Sequence, residues 1–213
     1  MLYMSSRLPP ALFIAGPLGI DFLNSVAIPV DSVVDWIGNG NDFLDWLRQA
    51  RLITPADISI IKSNFSVSEL DETARKARDL REWFRGFVKT HKGKQLSPKA
   101  LLKLKPLTDL LGLDQMFWSI VPKTPQDKSD GPLGFQLRPQ RRWRTPESLL
   151  APIAEELAKV ICSTDFACIK ACQGENCILF FYDETPRHNR RWCSMAICGN
   201  RAKQKAYRER SGG

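Results

Sequence analysis

Apolar side chains recur at three- and four-residue intervals through most of the first 165 residues, and hydroxyl-proline steps divide them into segments. Thr54-Pro55, Ser97-Pro98 and Thr145-Pro146 each set a capping hydroxyl before a proline at the first helical position. There the missing amide hydrogen is no loss and the fixed φ suits the helix. They predict helices over about 55–64, 98–111 with a break at Pro106, and 146–161. Ser68-x-x-Asp71 has the form of a capping box, opening a long helix through Leu80, Trp83, Phe84 and Phe87 to about Thr90. A further helix over 42–51 takes its apolar face from Phe43, Leu44, Trp46 and Leu47. Between the last two proline-started helices the period changes. Residues 116–121 and 133–137 read as short strands joined by a polar, proline-containing segment, 122–132, and residues 10–15 as an edge strand before Gly16-Pro17. The aromatic stripe of Trp36, Phe43, Trp46, Trp83, Phe84 and Phe87 reads as core.

Length and composition fit this pattern: 213 residues, 43% hydrophobic and 25% charged, suffice for one substantial core plus a small module that needs a staple. Charge divides the chain more sharply. From Arg187 onward eight basic residues face one acid, Glu209, whereas the preceding 186 residues are nearly balanced within a total of +8. Such a concentrated basic patch points to a polyanionic partner, nucleic acid before anionic membrane, although basic residues late in a helix also oppose its macrodipole. The chain lacks the roughly 18 consecutive apolar residues of a membrane helix, and prolines and polar residues interrupt its first 30 residues, unlike an export signal. A reducing cytoplasm is therefore expected.

In that compartment the cysteines gain meaning. Cys172-x4-Cys177 and Cys193-x4-Cys198 are equally spaced pairs, fifteen residues apart, and read as four thiolate ligands of a structural zinc ion. Redox or unliganded cysteines are the competing reading. Cys168 lies close enough to Cys172 to compete as a ligand, and His188 could also reach the metal; Cys162 reads as a buried helix residue. Residues 178–182 form an apolar strand leading from Cys177, a loop returns the chain through Arg190-Arg191-Trp192 to Cys193, and a helix starts near Ser194. Knuckle, hairpin, ligand pair and helix are the order of a treble-clef-like finger, in which folding and metal binding are one event.

The run Cys198-Gly199-Asn200-Arg201, with Arg190-Arg191-Trp192-Cys193, Cys172-x4-Cys177, Phe180, Phe181 and Asp183-x-Thr185, closely resembles the CGNR zinc-finger family. Gly19-Ile20-Asp21-Phe22-Leu23-Asn24 is similar to the opening motif of the ABATE domain that usually precedes this finger, a domain proposed to belong to stress-induced transcription regulators. The resemblance implies an N-terminal part that senses or dimerises and a finger that binds DNA. The expected fold is α+β: a mostly helical domain with a small sheet over 1–165 and the finger over 166–213.

Arg201, Gln204, Lys205 and Arg208 share one helix face by spacing and could read base edges in a major groove, while Arg190 and Arg191 suit phosphates. Gly199 would allow close backbone approach and Asn200 could bond the knuckle, with Trp192 anchoring the module. The leading reading is a DNA-binding transcriptional regulator, on double-stranded DNA and with room for a homodimer through the N-terminal domain. An RNA-binding finger or a protein-docking module are the alternatives. An enzyme is disfavoured, since the chain has only two histidines and no GxSxG, phosphate-loop or HExxH motif, leaving only a pocket around Asp21. Asp21 and Asn24 read chiefly as caps that satisfy neighbouring amides.

Overall fold

The computed structural model describes residues 8–28, 32–123 and 134–211. It is an α+β chain in which seven helices and three two-stranded antiparallel ribbons can be traced among the described residues. In order these are α1 (Leu18–Leu23), β1 (Val26–Ala27), β2 (Val34–Asp35), α2 (Gly40–Gln49), α3 (Pro55–Asn64) and α4 (Val67–His91). They are followed by α5 (Lys105–Leu111), β3 (Met116–Pro122), β4 (Phe135–Arg141), α6 (Ala151–Ser163), β5 (Ile169–Ala171), β6 (Phe180–Tyr182) and α7 (Asn200–Ser211).

Local chemistry sets most helix starts. Thr54 caps α3 by accepting from the Asp57 amide at 3.1 Å, and the Asp57 carboxylate returns to the Thr54 amide at 2.8 Å. At α4 the structure corrects the sequence reading: the box is Ser66 with Glu69, not Ser68 with Asp71. Asp71 lies one turn inside the helix and accepts from the Gly40 amide at 2.7 Å, which ties the start of α2 to α4. The other two proline steps open 3-10 turns, Pro98–Lys103 and Pro146–Leu150, which precede α5 and α6. The break expected at Pro106 falls at Leu104 instead, because a proline at the second position of α5 suits a helix start.

Residues 10–15 form no strand. Their amides go to side chains: Ala11 donates to Gln49 at 2.9 Å, and Ile14 and Ala15 donate to Asp21 at 2.8 and 2.9 Å. The β3–β4 ribbon extends further than expected, pairing Met116 with Arg141 through to Pro122 with Phe135. Leu133 and most of the segment joining the strands lie outside the described residues.

The core is built from α1, α2, α4 and α6, with Trp46 against Phe22 edge-on at 5.6 Å and Phe87 edge-on to Phe166 at 5.9 Å. Of the aromatic stripe only Trp83 is half-buried; the others are buried. Gly19 lets α1 lie against α6, since a Cβ there would sit 2.7 Å from the Glu156 carbonyl oxygen. This apolar core continues without interruption into Leu179, Phe180 and Phe181 and to the cysteines themselves. No helix among the described residues is long and apolar enough to cross a membrane.

Candidate metal centre and its basic helix

Strands β5 and β6 pair Ile169 with Tyr182, Lys170 with Phe181 and Ala171 with Phe180, so the eight residues between them turn as a knuckle. The Cys172 amide closes it by donating to the Leu179 carbonyl at 2.9 Å, and the Cys177 amide donates to Gly174 at 3.1 Å. Asn176 takes a left-handed φ of 59° at the tip. From β6 the chain loops back, and the Gln173 amide donates to Arg191 at 3.0 Å, bringing Cys193 over the knuckle. A single wide π-turn, Met195–Gly199, then carries Cys198 beneath it and runs directly into α7.

These folds bring four sulfurs from two distant segments together. The Sγ atoms of Cys172, Cys177, Cys193 and Cys198 all lie within 4.8 Å of one another. Cys193 stands 3.9 Å from Cys177 and 3.6 Å from Cys198, too far for disulfides. Four thiolates at about 2.3 Å from one tetrahedral ion would be spaced by roughly 3.8 Å, so the set fits a metal. Backbone amides complete the environment: those of Gly174 and Cys193 donate to the Cys172 sulfur at 3.4 and 3.2 Å. Sulfur-sulfur hydrogen bonds and these amides draw the Cys172 thiol far down, while hydrogen bonding to Cys172 and Cys177 drives Cys193 far up. Four sulfurs this close can all be thiolates only around a cation, which is the role the cluster offers. Gly174 is needed here, because a Cβ would meet the Cys198 sulfur at 2.8 Å.

Cys168 is not in the cluster. Its buried thiol sits 3.5 Å from His188 Nδ1, and burial together with Asp165 and Asp183 pushes it above the ordinary thiol range. His188 is directed to Cys168 and to the Asp183 carbonyl, 3.0 Å away, rather than to the four sulfurs. Cys162 is exposed at the end of α6, not buried.

Three polar residues, Asn24, Arg85 and Asp183, hold the finger in place. Asn24 faces Phe180 as a neighbouring strand would: its Nδ2 donates to the Phe180 carbonyl at 2.8 Å and its Oδ1 accepts from the Phe180 amide at 3.0 Å. Arg85, buried on α4, donates to Leu23 and to Ile178 beside the knuckle, the latter at 3.2 Å. Asp183, fully buried, accepts from Lys170 at 2.7 Å, the Thr185 hydroxyl at 2.6 Å and the Arg190 amide at 2.9 Å. Burial alone would raise its carboxyl, but these donors hold it well below the usual carboxylate range. The run Asp183-x-Thr185 is the signal for that turn.

The basic residues separate into two groups. Arg190 is directed inward, its guanidinium 4.4 Å over the Phe181 ring and bonded to the carbonyls of Ile14, Tyr182, Trp192 and Cys193. With four of its donors so engaged it braces the finger against residue 14, and the phosphate contact expected of it does not suit this position. Arg191 is exposed, stacked 5.0 Å over Trp192 and bonded to Gln173 at 2.7 Å. Arg201, Gln204, Lys205 and Arg208 do share a face, and it lines one open groove with Gln173 and Asn176 of the knuckle. Glu175, across that groove, pairs with Lys205 at 2.7 Å. Gly199 is packed beneath Trp192 and Met195, whereas the exposed Asn200 side chain makes no hydrogen bond among the described residues and does not tie the knuckle.

Fold and site together define an α+β protein whose helical core carries a C-terminal finger with four clustered cysteines suited to one metal ion. Residues 16–164 match the ABATE family, described as "Putative stress-induced transcription regulator", and residues 169–211 match the CGNR zinc finger. The chain belongs to the ABATE family and bears a CGNR zinc finger. A search of curated proteins finds no match.

Proposed function

We propose that the chain is a transcription regulator whose finger, closed by one zinc ion on Cys172, Cys177, Cys193 and Cys198, binds double-stranded DNA through α7. The observation that carries the reading is the launch of α7 straight from Cys198, with Arg201, Gln204, Lys205 and Arg208 aligned along one groove. Zinc would supply fixed tetrahedral geometry and charge neutralisation, and the chain's own residues would do the recognition. Arg191, Arg201 and Arg208 contact phosphates or guanine edges, and Gln204 has the donor-acceptor pair that suits adenine. Lys205 exchanges Glu175 for a phosphate when the groove is filled. The site is non-catalytic in this reading, because four thiolates leave the ion no open position for water. In this reading the protein works in the cytoplasm, where thiolates stay reduced.

Anisotropy titrations of labelled duplex DNA, single-stranded RNA and hairpin RNA across a salt series test the proposal. Duplex DNA should bind tightest, with the log-log salt slope falling by about 0.9 for each phosphate contact removed in Arg201→Ala or Arg208→Ala. Tighter binding to either RNA would reassign the partner. Unchanged affinity of both variants for every nucleic acid would remove α7 as the reader.

A further inference from the structure

The β3–β4 ribbon turns the wrong side to water. Its cross-strand pairs Trp118 with Pro139, Ile120 with Leu137 and Pro122 with Phe135 point to one face, and that face is outward. Trp118 is 66% exposed, Ile120 75%, Phe135 62%, Leu137 61% and Met116, at the base, 52%. The opposite face carries Phe117 and Val121, both half-buried, with Ser119, Arg138, Gln136 and Gln140, and is the more polar one. A half-buried ribbon ordinarily places these sets the other way round.

We infer that this face is the contact surface between two copies of the chain, the ribbons of both packing face to face about a two-fold axis. The five side chains leave on the order of 600 Å² of apolar surface in water, at the upper end for a monomer and near the roughly 800 Å² per partner of a standard interface. The middle of the face carries no charge, so a polyanion or a charged peptide has nothing to pair with there. The one charge at its base, Arg141, is already matched by Asp114 at 3.0 Å and by Glu155. An identical apolar face is self-complementary under two-fold symmetry. Electrostatics does not oppose the pairing, because the charge excess lies in the finger and the preceding 186 residues are nearly neutral.

Light scattering and sedimentation equilibrium on the full zinc-loaded chain at low micromolar concentration read the outcome. The wild type should have twice the mass of one chain. Trp118→Glu and Ile120→Lys, both at exposed positions, should weaken the association by at least about 30-fold, with circular dichroism and zinc content unchanged. Gln140→Glu, on the opposite face, should associate as the wild type does. A monomeric wild type overturns the inference. So does a dimer that survives Trp118→Glu, or one that Gln140→Glu disrupts equally. The measurement uses no nucleic acid, so its failure and the failure of the DNA reading are separate results.

Discussion

Asp21 shows how much one buried carboxyl can alter the stability of this protein. It is 3% exposed, and burial raises it from 3.8 to about 6 although the Ile14 and Ala15 amides oppose the shift. A carboxyl raised on folding costs nothing below pH 4 and its full penalty above pH 6, so this group makes stability fall as pH climbs through that window. The penalty is on the order of 2–3 kcal/mol. Both amides bond to a single oxygen, Oδ1, which an asparagine can reproduce. Asp21→Asn is therefore expected to remove that slope and to raise stability at pH 7, checked by urea unfolding from pH 4 to 7; equal slopes in both proteins would refute it. Gly174 acts by its lack of a side chain. Gly174→Ala would press a methyl group on the Cys198 sulfur and should weaken zinc by roughly tenfold or more in competition with a chromophoric chelator.

At the scale of elements, α1 and β6 are the decisive pair. Asn24 gives the edge of β6 the two hydrogen bonds that another strand would give, inside the core. Asn24→Ala would leave a buried amide and a buried carbonyl unpaired, at a cost of roughly 2–4 kcal/mol, and should raise hydrogen exchange at Phe180 first. The sequence shows that Asn24 is an amide in an apolar run, but not that its partner is 156 residues away. What could be read were features fixed by nearby residues: the helix start at Thr54-Pro55, the aromatic faces and the paired cysteines. Ser66-x-x-Glu69 and Ser68-x-x-Asp71 overlap at the start of α4; the box forms on the first, whose glutamate has the reach that the motif requires, and Asp71 is taken by the Gly40 amide instead. Arg190 misleads for the same reason as Asn24. A basic residue beside a basic run suggests solvent, whereas the carbonyl of Ile14 and the ring of Phe181 turn it inward.

At the scale of the molecule, the finger shares the core of the helical domain instead of standing apart on a linker. Removing the metal should therefore be felt beyond the four cysteines. Cys172→Ser is expected to bind less than a tenth of the zinc of the wild type by elemental analysis, and to lower the denaturation midpoint of the whole chain. A variant whose helical unfolding is unaltered would show that the two parts melt independently. A segment of 166–213 prepared alone with zinc would expose Leu179, Phe180 and Phe181 to water and should give a poorly dispersed NMR spectrum.

The bond between Asn24 and Phe180 also sets an order of events during synthesis. The first helix leaves the ribosome long before the strand it pairs with, and at about 5–20 residues per second the wait is roughly ten seconds or more. Until Phe180 is made, that amide and the apolar surface around it stand open to chaperones and to neighbouring nascent chains. The protein acquires its finger and its finished interior together, in one step, so a chain interrupted before Phe180 is left with an unsealed seam.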